Sequence, residues 1–243
     1  MGYLQIVRYA NVNDLARRTA ARLLDKLINL QSQNPNANIC LSSGEAAMLL
    51  YSELGKIIAN SPLDPKRLEI WWGDEGFLPS TSPDRLATKT LATLARTFPI
   101  DASLTHPMPG SQGQLDAAAA AQAYAKEVGE TIFDVCVMAI GRDGETSSLF
   151  PGNLATEMTA ETVVAVPDTS ALPQERISFS IPAINTSNEV WLLASGRETA
   201  PWVKATIAGD ETIPSGRIRG HLATYLLIDA AAASLIPYHQ CAI

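Results

Sequence analysis

Short apolar runs alternate with longer stretches of helical periodicity from one end of the chain to the other. Leu4–Arg8 is a strand-like run. Val12–Gln33 carries the apolar spacing of a long amphipathic helix with Asn11 placed as its N-cap, and Asn38–Leu41 is a short buried strand. The unit then repeats, with a helix over Glu45–Ile58, the strand "RLEIWWG", and a helix over Arg85–Thr97 for which Asp84 is the candidate cap. An alanine-rich helix in the Leu115–Ala125 region precedes "IFDVCVMAIG", a continuous apolar run expected of a strand buried on both faces. In the second half "TVVAV", "ERISFS" and "NEVWLLAS" read as strands, and helices are expected near Glu198–Gly209 and Leu222–Ala233. Strands alternating with helices predict an α/β fold, a doubly wound and mostly parallel sheet with helices on both faces, in a single domain over residues 1–243.

Such sheets bind ligands beyond the carboxyl ends of their strands, which directs attention to "LSSGEAA", "WWGDEGFLP" and "IGRDGETSSLFPG". Ser43 and Gly44, between a strand and a helix, offer free backbone N–H groups to an anion such as phosphate; the plainer reading is a strand-to-helix turn capped by Ser42 or Ser43. Asp74 and Glu75 stand side by side past a strand end, either orienting a water, a sugar hydroxyl or an arginine, or forming a solvated acidic turn with Trp71 or Trp72 in the core. Arg176 opens a strand after a proline-containing loop, where it grips a phosphate or lies on the surface.

Composition narrows the function classes. With 47% hydrophobic and 18% charged residues the chain is an ordinary globular one, and a net charge of −7 argues against nucleic acid as a partner. Cys40, Cys136 and Cys241 lack C-x-x-C spacing and read as reduced thiols of a cytoplasmic chain. The N-terminal stretch lacks the pattern of an export signal, and the apolar stretches are too short for a membrane span. His106, His221 and His239 show no metal-site spacing, so no metal is expected. Neither a G-x-S-x-G elbow, a P-loop nor a complete G-x-G-x-x-G fingerprint is present.

Taken together, "LSSGEAAMLLY", "WWGDEGFLP", "IGRDGETSSLFPG", "ERISFSIPAIN" with "NEVWLLASGRETA", and "IPSGRI" with "LLIDAAAA" resemble the 6-phosphogluconolactonase family, in the superfamily of glucosamine-6-phosphate deaminase and ribose-5-phosphate isomerase. The segments match in order across nearly the whole chain. The resemblance implies a cofactor-free enzyme of the oxidative pentose phosphate pathway, monomeric or homodimeric, that hydrolyses 6-phosphoglucono-δ-lactone to 6-phosphogluconate. A general base helps water attack the ester carbonyl, while cations and helix-end amides hold the phosphate. Asp74, Glu75, Gly141, Asp143, Gly144 and Arg176 match the family pattern.

Other positions depart from it. The family's Gly-Gly-Ser-Thr-Pro phosphate loop is here Ser43, Gly44, Glu45, Ala46 and Ala47, and the arginine after Asp-Glu is Gly76. The Ser-Asn pair at the next helix is Arg85-Leu86, the lysine after "ASG" is Thr199, and the histidine after Asp-Gly is Glu145. A carboxylate about 5 Å from a phosphate charge costs roughly 3 kcal/mol at an effective dielectric near 20. Phosphate binding then calls on Arg142, Arg197, Arg217 or Arg219 to compensate. On the lactonase reading Glu145 is the general base, Asp143 and Asp74 orient water or the base, and Arg176 holds the phosphate. The alternative is a catalytically degenerate family member that binds a sugar or sugar phosphate, and the third is sugar-phosphate isomerisation or deamination.

Overall fold

Runs that are apolar at every position become the centre of the sheet. The computed structural model describes residues 2–111, 115–157, 160–167 and 172–237, so His239 and Cys241 lie outside it. Its strands are β1 (Tyr3–Tyr9), β2 (Ala37–Leu41), β3 (Leu68–Trp72), β4 (Asp74–Gly76), β5 (Thr105–His106), β6 (Val135–Ala139), β7 (Val163–Val166), β8 (Arg176–Phe179), β9 (Glu189–Ala194) and β10 (Ala223–Asp229). The helices are α1 (Val12–Gln33), α2 (Glu45–Ile57), α3 (Leu86–Leu94), α4 (Ala117–Val128), α5 (Leu154–Glu157), α6 (Ile181–Asn185), α7 (Ala200–Ala208) and α8 (Pro214–Arg217).

A seven-stranded sheet runs in the order β1-β10-β9-β6-β2-β3-β5, and every neighbouring pair is parallel. Alternate residues of its central strands feed two cores. Val135 and Val137 of β6 join Leu15 of α1 and Leu50 of α2, whereas Cys136 and Met138 join Tyr124 of α4 and Phe179. Both cores are covered, so β6 and β10 are buried along their whole length. Cys40 and Cys136 are register partners on β2 and β6 and are buried free thiols. No helix among the described residues is long and apolar enough to cross a membrane.

The structure corrects the sequence reading in three places. The segment Leu222–Ala233, expected as a helix, supplies β10, paired to β1 on one edge and β9 on the other. "ATYLLID" is apolar or buried throughout, so it carries no period that separates strand from helix, and the alanines that suggested a helix follow the strand as turns. "TVVAV" and "ERISFS" leave the main sheet and join β4 in a three-stranded antiparallel sheet ordered β4-β8-β7. The chain peels away at Gly73, whose carbonyl accepts from the Phe179 amide at 2.9 Å.

The third correction concerns caps. Asn11 does cap α1, accepting from the Asp14 amide at 3.0 Å. Asp84 does not cap α3; it forms an ion pair with Lys89 at 3.4 Å. The carboxylate at the start of α3 is that of Glu75, which accepts from the amides of Leu86 at 2.7 Å and Ala87 at 3.0 Å. A buried anion at a helix N-terminus satisfies donors that no side chain of the helix itself reaches.

Candidate active site

The sheet order reverses between β2 and β6. From β2 the chain builds outward through β3 and β5, and from β6 outward through β9 and β10 to reach β1. Loops that leave the carboxyl ends of β2 and β6 therefore diverge and open a crevice. Gly44 sits at its mouth with φ 130°, and a Cβ there would lie 2.3 Å from Cβ of Ala139 at the end of β6. Gly44→Ala is expected to cost about 2 kcal/mol or more through strain and overpacking, read as a lowered melting temperature. An unchanged melting temperature would show that the close approach of β2 and β6 is not rigid.

Asp74 ties the loops together. Its carboxylate is completely buried and accepts from Ser42 Oγ at 2.7 Å, from the Ser43 amide at 2.8 Å and Ser43 Oγ at 2.5 Å, and from Ser148 Oγ at 2.6 Å. Arg176 adds Nη2 at 3.3 Å, while its Nε donates to Ser148 Oγ at 2.6 Å. Burial by itself raises the Asp74 carboxyl, but the Arg176 charge and the hydrogen bonds from Ser148 and Ser43 outweigh it and hold the group below the usual carboxylate range. With both oxygens so occupied, the expectation that Asp74 orients a water is replaced by a positioning role: it joins the ends of β2 and β3, the loop after β6, and β8. Ser42 and Ser43 likewise donate to Asp74 rather than capping α2.

Glu75 is engaged elsewhere. It is buried against Arg85, whose Nε lies 3.4 Å away and whose Nη2 donates to the Met108 carbonyl, in addition to the first-turn amides of α3. Burial raises its carboxyl above the ordinary value, opposed by those hydrogen bonds and by the Arg85 charge. Its assignment as a substrate contact gives way to a structural one.

The loop after β6 makes a tight turn. The Gly141 amide donates to the Glu145 carbonyl at 2.9 Å, and Gly144 (φ 81°) passes so close to the Trp202 ring that a Cβ would lie 2.8 Å from it. Trp202 Nε1 donates to the Arg142 carbonyl at 2.9 Å and fixes the turn from α7. Ser147 and Ser148 follow with φ 53° and 59°, left-handed backbone that non-glycine residues rarely hold. Ser147 Oγ donates to the Gly73 carbonyl and Ser178 Oγ to the Ser147 carbonyl, which hold this strained pair in place.

That turn presents the Glu145 side chain to a cleft of about 570 Å³, lined also by Ser43, Gly44, Glu45, Arg142, Asp143, Glu198, Thr199 and Asp229. Among the described residues no side-chain donor reaches the half-buried Glu145 carboxylate. Its pKa is raised to about 7, chiefly by burial, then by the charges of Asp143 and Asp74, against a smaller lowering by Arg176. A glutamate in this state exchanges a proton near neutral pH.

The chain matches the family described as glucosamine-6-phosphate isomerases/6-phosphogluconolactonase over residues 10–226. It is 35% identical to the 6-phosphogluconolactonase of Streptomyces coelicolor, covering 96% of this chain and 95% of that one. To the 6-phosphogluconolactonase of Mycobacterium leprae it is 32% identical, covering 89% and 92%. This chain belongs to that family. The structure of 6-phosphogluconolactonase from Trypanosoma brucei superposes with a TM-score of 0.84 at 24% identity, over 98% of this chain and all of that one, and so shares the fold.

Within this glucosamine-6-phosphate isomerase/6-phosphogluconolactonase frame, the departures from the family pattern acquire physical settings. A side chain at Gly76 would meet Pro173 at 2.8 Å, and the space beside it holds Arg176 Nη1. Thr199 turns its hydroxyl to the carbonyls of Ser195 and Gly196 and brings no charge to the cleft. Glu45 is exposed at the first turn of α2, where solvent screening reduces its repulsion of an anion below the value expected from sequence.

Of the arginines expected to compensate, Arg142 lines the cleft and Arg197 does not. Arg217 pairs with Glu157 at 2.9 Å, and Arg219 donates to the carbonyls of Ser215 and Ile218. Asp229, hidden in the segment read as a helix, lines the cleft and accepts from the amides of Gly196 at 3.2 Å and Ala232 at 2.8 Å. Glu198 lines the cleft too; it stands within "NEVWLLASGRETA", and Asp229 within "LLIDAAAA", but neither was singled out as a site residue.

Proposed function

We propose that this chain hydrolyses 6-phosphoglucono-δ-lactone to 6-phosphogluconate, with Glu145 as the general base. The observation that carries the reading is the unbridged Glu145 carboxylate, facing the cleft with its pKa raised to about 7. Glu145 takes a proton from water as the water oxygen bonds to the lactone carbonyl carbon; the ring C–O bond then breaks and its oxygen receives a proton. The first-turn amides of α2, which have no intrahelical acceptor, are available to the developing oxyanion or to the phosphate. Asp143, exposed beside Glu145, raises its basicity by charge, and Arg176, anchored on Asp74, keeps Nη1 for an anion.

The test is stopped-flow hydrolysis of the lactone with its spontaneous opening subtracted. A rate above background, proportional to protein, is expected, and a folded chain that adds nothing at micromolar concentration overturns the reading.

One observation favours a second reading. Among the described residues, Glu45, Asp143, Glu145, Glu198 and Asp229 line a cleft whose lining cation is Arg142. Such a pocket suits a less anionic sugar bound without hydrolysis. Stabilisation of a hydrolytically silent chain by an unphosphorylated sugar in a thermal-shift measurement distinguishes it.

A further inference from the structure

The cleft does not end at Glu45. On the other side of Ser43, Gly44 and Glu45 lies a second compartment of about 620 Å³, lined by Arg176 and the exposed Lys89. The two compartments share the N-terminus of α2 and differ in charge. The Glu145 side carries the carboxylates of Asp143, Glu198 and Asp229 against Arg142. On the second side Glu75 is neutralised by Arg85, and Asp84 stands 77% exposed at the rim in an ion pair with Lys89. Exposed pairs of this kind hold weakly, so Lys89 is free to turn inward to a stronger partner.

We infer that Lys89, which lines this compartment, selects for the phosphate of the substrate, a group the family resemblance sets at the Ser43–Gly44 turn and Arg176. This rests on the lactonase reading and fixes the direction of the substrate: lactone ring beside Glu145, phosphate across the α2 N-terminus beside Lys89 and Arg176. Gly76 is part of the arrangement, because it leaves the wall to Pro173 and brings Arg176 Nη1 to the space where a side chain would project. A dianion placed in the first compartment would instead face several carboxylates with, among the described residues, one lining arginine.

The test is Lys89→Met in the full chain, assayed with 6-phosphoglucono-δ-lactone and with unphosphorylated glucono-δ-lactone. A charge-assisted contact of ordinary strength corresponds to about a tenfold or larger fall in kcat/KM. That fall is expected on the phosphorylated lactone alone, through KM, with kcat within about twofold and Lys89→Arg restoring most of it. An equal change on both lactones, or none, overturns the inference.

Calorimetry separates this result from failure of the lactonase reading. If the wild type does not hydrolyse the lactone but binds 6-phosphogluconate, and Lys89→Met weakens that binding about tenfold, the phosphate compartment stands without the activity. Equal affinity of the two proteins, or no binding by either, overturns it.

Discussion

Glu145→Gln is expected to lower kcat on the phosphorylated lactone by about 10²–10⁴-fold with KM little changed. Glutamine keeps the shape, and because Gly141 has no Cβ to collide with the residue-145 side chain, the amide fits where the carboxylate does. What it lacks is a lone pair basic enough to take a proton from water. With Glu145 as the proposed base only its ionised carboxylate would act, so the background-corrected rate is expected to rise with pH through about 7 and level above it. An ordinary glutamate would have reached its plateau by about pH 5.5. Wild-type turnover in the glutamine variant, or a flat profile between pH 5.5 and 8, rejects Glu145 as the base.

The same substitution has a stability signature of opposite sign. The folded state holds the Glu145 proton up to about pH 7, whereas the unfolded chain releases it near the ordinary glutamate value of 4.5. Stability contributed by the bound proton is fully present below about 4.5 and is lost as pH rises through 7. Glu145→Gln should therefore melt above the wild type at pH 8 and close to it at pH 4.5, with a gain bounded by about 3 kcal/mol. A dead variant that is also more stable at high pH marks a carboxylate kept for chemistry at a cost to the fold.

The α/β class and most of its elements were legible because their periods were clean: α1 runs over the residues that its apolar spacing and Asn11 predicted. β10 was not, since a strand buried on both faces shows no alternation and its trailing alanines favour helix. Nor was the second sheet, because its short strands pair with segments far away in sequence, Asp74–Gly76 with Arg176–Ser178.

At the candidate site, the motif words located loops that line the cleft but not the partners within them. Asp74 and Glu75 are adjacent and look alike in sequence. Their alternation along β4 sends one carboxylate to the serines and Arg176 and the other to α3. No local pattern announces which side chains a carboxylate will meet across the fold. Asp229 stands in the quoted word "LLIDAAAA", but reading that segment as a helix hid its place at the end of β10, and Lys89 lies in a helix whose pattern marks only its buried face.

Asp74→Asn is expected to destabilise the chain by about 3–5 kcal/mol, the usual cost of removing one partner from a buried ion pair. For a chain of this length that corresponds to a fall in melting temperature of roughly 6–20 °C. Asp74 is approached only by donors, so the asparagine amide would point N–H at N–H or O–H, and the Arg176 charge would lose the carboxylate that faces it. Because the folded pKa is depressed, the stabilisation is present above the unfolded carboxyl value near 4 and is lost as pH falls through the folded value. The gap between wild type and variant should accordingly close in acid. Adding Arg176→Met to Asp74→Asn should cost less than Arg176→Met alone, since the charge left unpaired is then removed. Hydrolysis should fall as well, although both Asp74 oxygens are taken by protein donors, because Ser43 and the Ser147–Ser148 turn that border Glu145 lose their common anchor. A melting temperature within about 2 °C of wild type, or additive effects in the double variant, would show that the loops are held without it.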